Sequence, residues 1–210
     1  MHAVAYGFTL GIGLIISLGP QNLFLIERAS QKNRPFLCAT FCSAADILLI
    51  TISTMGMGAA LTNNPTLQQV FLILGGLFLF WYGGLNIKQG YLNLKHHQSS
   101  PEQKAIQHHF SPMKLVLMTL SFSLLNPHAW IDTVVIIGSA SLRYHDLGLW
   151  LFTSGAVLAS LLWFFTIALI ALRCSESLTK PRNAGILSLG SGIIMLWIGG
   201  SLIHAAVRMP

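Results

Sequence analysis

The chain has 210 residues, of which 53% are hydrophobic and only 9% charged, and its formal net charge is +6. A water-facing domain carries about a quarter of its residues as Asp, Glu, Lys and Arg, so a chain with a mean hydropathy of +0.66 lacks the polar side chains to cover itself. Composition thus excludes a soluble globule, a soluble α/β enzyme and intrinsic disorder, and makes the positive charge a matter of loops and membrane orientation rather than nucleic acid. Three cysteines cannot build a disulfide framework.

Six apolar runs are long enough for a hydrocarbon core roughly 30 Å thick: Ala3–Ile26, Phe36–Leu61, Leu67–Ile87, Leu115–Ile137, Leu147–Leu172 and Ala184–Val207. They leave almost nothing for a soluble domain, so the chain reads as one all-α transmembrane domain over 1–210. The first run has no basic residue before it and no small-residue cleavage site, and is expected to stay in the mature protein. Most Lys and Arg follow spans one, three and five: Arg28, Lys32, Arg34; Lys88, Lys95, Lys104, Lys114; Arg173, Lys180, Arg182. The opposite side holds only Arg143 and Arg208. Basic loops stay in the cytoplasm, so six spans put both termini outside. A re-entrant first segment would give five spans and an inside N-terminus, with the C-terminus still periplasmic.

The two halves resemble each other. Leu74–Ile87 (LGGLFLFWYGGLNI) laid over Gly190–Ile203 (GSGIIMLWIGGSLI) aligns Gly76, Trp81, Gly83, Gly84 and Ile87 with Gly192, Trp197, Gly199, Gly200 and Ile203. Spans one and four also match, Leu18-Gly19-Pro20-Gln21-Asn22 against Leu125-Asn126-Pro127-His128-Ala129. Three spans per half invert the second copy, which predicts two inverted three-helix repeats, 1–92 and 113–210, joined by a cytoplasmic loop, 93–112. In such architectures a substrate site lies between the copies near the midplane, built from interrupted helices. The plainer account of the recurring Gly and Trp is helix packing and interface anchoring.

Proline has no N–H and clashes with the carbonyl four residues back, so Pro20 and Pro127 predict broken helices at Gly19-Pro20 and Asn126-Pro127. Asn126-Pro127 has the form of a helix start. At Gly19-Pro20 the amides of Gln21 and Asn22 take that place. Each break offers free N–H groups and a positive dipole end inside the membrane, which suits a carboxylate; a simple kink is the plainer reading. Two acids lie within the runs, Asp46 and Asp132. An intramembrane carboxylate costs about 2.5 kcal/mol or more, which makes each a functional candidate. Asp132 could instead be hydrated at the outer interface or paired with His128, one turn away. Positive dipole ends and negative side chains together fit a zwitterion carrying an extra cation.

At these residues the chain resembles the LysE/ArgO family of bacterial basic amino-acid exporters. The resemblance rests on Leu18–Phe24 (LGPQNLF), Asp46 with Ile47-Leu48-Leu49, Trp81-Tyr82-Gly83, Leu125–Gly138 (LNPHAWIDTVVIIG) and Ala159–Phe165 (ASLLWFF). It implies export of L-arginine, and of L-lysine or canavanine, through the inner membrane, with no catalytic residues, cofactor or metal. Trp130 departs from the tyrosine expected there. The superfamily also contains exporters of neutral amino acids and of metal ions. The expected site is Gly19, Pro20, Gln21, Asn22, Asp46, Asn126, Pro127, His128 and Asp132, with basic amino acid, proton and lipid as partners.

Other features have competing readings. Cys38 and Cys42, one turn apart, could form a thiol or soft-metal pair but read better as buried small residues. The pairs His96-His97 and His108-His109 lack fixed metal spacing. Trp163, Phe164 and Phe165 could stack on a guanidinium, though packing or lipid contact is the simpler account. Gly7 and Gly11 suit close helix approach, within the chain or between copies of a homo-oligomer. A six-span channel with paired half-helices would call for Asn-Pro in both halves and cytoplasmic termini; neither is read here. Export of a cation against an inside-negative potential costs about 2.3 kcal/mol per 100 mV, which proton antiport would offset.

Overall fold

A computed structural model of the chain describes residues 2–16, 19–56, 65–99, 110–126, 129–130 and 133–208, all helical or connecting, with no strand among them. The helices are α1 (His2–Ile15), α2 (Pro20–Ser30), α3 (Pro35–Thr54), α4 (Pro65–Ser99), α5 (Pro112–Leu124), α6 (Ser139–Ser141), α7 (Asp146–Arg173), α8 (Ser175–Leu178) and α9 (Pro181–Arg208), with a π-helical segment, Thr133–Gly138, before α6. Five begin at a proline, whose missing N–H and fixed φ suit a first helical position. Three are long and apolar enough to cross a membrane unaided: α3, α7 and the 182–208 stretch of α9. α1 and α2 together make a fourth such unit, bent by 78°. The protein is a multi-pass membrane protein.

Besides this bent first span, two predicted spans are not continuous α-helix. The run Leu115–Ile137 divides into α5, the segment from Leu125 onward and the π-helical turn, where each carbonyl is bonded five residues on rather than four. The run expected to reach Leu61 ends as α3 at Thr54, where Gly56, at φ 77°, takes the left-handed conformation that stops a helix; 57–64 lie outside the described residues, as do His108 and His109.

α4 and α9 pack antiparallel on a ladder of small residues. A β-carbon added to Gly76 would lie 3.1 Å from the Gly199 carbonyl oxygen, one on Gly83 3.1 Å from that of Gly192, and one on Gly90 2.9 Å from that of Gly185. The three residues on each helix stand seven apart, which keeps them in one seam. A shift of 116 residues maps this seam onto itself: Gly76 goes to Gly192, and Gly83 to Gly199. It takes Gly90 and Gly185 to Ala206 and Gln69, and there Gln69 Nε2 donates to the Ala206 carbonyl at 3.1 Å. The surroundings of Trp81 and Trp197 match too, for both side chains are mostly exposed.

α1 packs parallel to α7. Gly7 and Gly11 meet the backbone of Phe152 and Ala156, so the expected glycine contact is made within the chain. The consequence of these two pairings is the position of α2. It contacts α3, α5, α7, α8 and α9 and is buried at nearly every residue, although it carries Gln21, Asn22, Glu27 and Arg28.

Candidate functional site

α2 opens at Pro20, with Gly19 extended before it and no side chain capping its first turn. Pro20 has no N–H, so the amides of Gln21 and Asn22 are left without intrahelical acceptors at the positive end of the helix. Asn22 spans the break from α1: its Nδ2 donates to the Ile15 carbonyl at 3.0 Å, supplying part of what the interruption removed. Its Oδ1 accepts from Trp163 Nε1 of α7 at 3.3 Å.

Asp46 lies on α3 between buried Cys42 and buried Ile50. The Ser160 hydroxyl of α7 donates to its Oδ2 at 3.1 Å. The Gln21 side chain is close enough to interact with the same carboxylate, yet its Nε2, on a residue 8% exposed, makes no hydrogen bond among the described residues. Asn126 follows α5, and its carbonyl accepts from Trp130 N at 3.4 Å. Asn126 Oδ1 is likewise buried without a partner among the described residues. Trp130, where a tyrosine was expected, uses its ring nitrogen to hold the Leu124 carbonyl at the end of α5, 2.8 Å away.

These groups line one cavity of about 540 Å³, with Gly19, Pro20, Gln21, Asn22, Asp46 and Asn126 all on its wall, a size within the range of small-molecule sites. Pro127, His128 and Asp132 lie outside the described residues. The remaining wall includes Thr133, Phe164, Trp197 and Ser201, which sequence reasoning missed or set aside. Phe164 and its neighbour Trp163 were read as packing or lipid-facing; both do pack in the core, and in addition Phe164 lines the cavity and Trp163 donates to Asn22. Of the three aromatics, Phe165 points outward, stacking on Phe36. Cys38 and Cys42 are buried, as expected of small apolar residues.

One expectation needs correction. Arg28 was counted among loop cations, and the two acids within the apolar runs were taken as the buried charges. Arg28 is instead 2% exposed and ion-paired with Glu27, itself 3% exposed, because α2 extends past the apolar run while still enclosed by five helices.

Among the described residues the cavity thus presents the Asp46 carboxylate, the Gln21 and Asn126 side-chain amides, the start of α2 and the aromatic side chains of Phe164 and Trp197. A helix start and a carboxylate on one wall are complementary to opposite charges. Comparisons with known proteins agree. The profile of the LysE type translocator family matches residues 12–206. The chain is 34% identical over 203 residues to a putative amino-acid transporter, YggA, of Aeromonas salmonicida, covering 96% of this chain and 95% of that one. It is 35% identical over 199 residues to the arginine exporter protein ArgO of Photorhabdus laumondii, covering 93% and 92%. It is 30% identical over 204 residues to ArgO of Yersinia enterocolitica, covering 97% of each. No solved structure matches the chain. With the family profile spanning nearly its whole length, the chain belongs to the LysE family of translocators and is a transporter, not an enzyme.

Proposed function

We propose that the protein exports basic amino acids, L-arginine foremost, across the bacterial inner membrane in exchange for protons. The observation that carries this reading is the shared cavity: an intramembrane carboxylate, Asp46, on the same wall as both helix interruptions. The start of α2 and the turn at Asn126 receive the substrate carboxylate on backbone N–H groups, with Gln21 Nε2 as a further donor. Asn126 Oδ1 accepts from the α-ammonium group, and Asp46 faces the distal cation. A buried donor or acceptor left unmade costs about 1–3 kcal/mol, so a ligand that satisfies Gln21 and Asn126 is favoured. The names of two relatives, both arginine exporters, support the choice of substrate.

Arginine leaving alone moves a positive charge against the potential; one proton entering in its place moves none. Asp46 serves both if it holds the cation on the way out and a proton on the way back. His128 and Asp132 form the outer exit. The architecture behind this motion is a single domain of six spans in two inverted halves, 1–92 and 113–210, around the cytoplasmic loop 93–112, with the C-terminus periplasmic. The α4–α9 seam, which a shift of 116 residues returns to itself, supports that symmetry, as does the parallel run of α1 and α7, first and fifth in order. Counterflow in proteoliposomes tests the substrate: unlabelled arginine inside should accumulate labelled arginine, and preference for a neutral amino acid would overturn the reading.

A further inference from the structure

The buried pair at the other end of α2 has no part in the scheme above. Gln21, Phe24 and Glu27 recur every three residues, so on one side of α2 the Phe24 ring lies between the cavity amide and the buried acid. Glu27 is some 9 Å from Gln21 at 1.5 Å per residue. Arg28 Nη2 binds Glu27 Oε1, and the Tyr82 hydroxyl donates to Oε2 at 3.5 Å. The Arg28 guanidinium carbon lies 4.6 Å from the centre of the Phe110 ring and 5.7 Å from that of Phe24. Phe24, Tyr82 and Phe122 pack against one another beside the pair, their centroids 4.7 to 5.7 Å apart.

An isolated buried ion pair is seldom worth more to stability than apolar side chains of the same size, and adjacent residues on a helix do not naturally face each other. A carboxylate flanked by aromatic faces is, however, what recognises a guanidinium group. The neighbouring cations, Lys32, Arg34 and Lys114, lie in the segments that the charge asymmetry assigns to the cytoplasm. We propose that Glu27 and Phe110 form a second, cytoplasmic-side site for the cationic end of the transported amino acid, and that Arg28 is a tethered stand-in occupying it. The inference rests on the basic substrate of the preceding section. A tethered group competes as though present at about millimolar concentration, so free arginine displaces Arg28 only when it is abundant. An exporter built this way does not drain the cell at low internal arginine.

The test uses purified full-length protein carrying Asp46→Asn, which removes the carboxylate described on the cavity wall, with methylguanidinium chloride as the probe and sodium chloride as the control. Arg28→Ala in this background should gain thermal stability saturably with methylguanidinium. The parent should gain only at much higher methylguanidinium, because Arg28 competes for the site, and the Glu27→Gln, Arg28→Ala pair should not gain at all. Absence of a gain in Arg28→Ala, or an equal gain when Glu27 is also replaced, overturns the proposal. Arg28→Lys, which keeps the charge if the alanine variant does not fold, should lower the half-saturating arginine concentration at the cytoplasmic face about threefold or more, because an ammonium group fills the aromatic cage less well. An unchanged or higher value overturns it. Arginine counterflow by the unsubstituted protein is read separately, so failure of the central-site reading leaves its own trace.

Discussion

The Ser160 hydroxyl donates to Asp46 Oδ2 at 3.1 Å, tying the acid of α3 to a fully buried residue of α7. The bond fixes which way the carboxylate faces. Ser160→Ala removes a bond worth about 1 kcal/mol, and should raise the half-saturating arginine concentration about fivefold with little change in thermal stability. Counterflow with each protein checks this.

Asn22 joins the two sides of the first helix break through Ile15 and α2 to α7 through Trp163. Asn22→Leu leaves a carbonyl and an indole N–H without that partner, a loss of about 2–3 kcal/mol. Thermal unfolding in detergent should show a clear drop, and Trp163→Phe, which strands only Asn22 Oδ1, a smaller one.

The α4–α9 seam predicts a contrast between neighbouring glycines. A methyl group on Gly192 would come 2.8 Å from the Gly83 carbonyl oxygen, whereas one on Gly84 or Gly190 meets nothing within 4 Å. Gly192→Ala should therefore destabilise by about 1–3 kcal/mol, while Gly84→Ala and Gly190→Ala leave the unfolding temperature nearly unchanged.

Pro20 sets the start of α2. Replacing it by alanine restores an N–H and lifts the restriction on Gly19, so α1 can run on toward α2 and the helix start on the cavity wall is lost. Pro20→Ala should insert into the membrane normally but transport arginine about tenfold less well, a difference of about 1.4 kcal/mol.

What the sequence made legible was local. Asp46 stands out because a carboxylate in an apolar run is costly, and Pro20 and Asn126 because a break in a helix needs only its own residues to be seen; all line the cavity. The kinship of α4 and α9 was legible as glycines 116 residues apart, but that the two helices pack on those glycines was not. What was hidden depends on tertiary enclosure. Nothing about Glu27 and Arg28, at the end of an apolar run, shows that five helices surround them. Thr133, Phe164, Trp197 and Ser201 resemble every other residue of their spans until neighbours are placed around them. Thr133-Val134-Val135-Ile136-Ile137-Gly138 reads as ordinary apolar helix, its π-helical turn unmarked by any residue type.

The central role of Asp46 is tested most directly by arginine–proton exchange in proteoliposomes containing the Asp46→Asn chain, compared with the unsubstituted chain at equal density across a range of external pH. Loss of labelled arginine efflux and of its response to an imposed pH difference is the expected result. Efflux of normal rate and normal pH response from vesicles carrying the Asp46→Asn chain would contradict the account.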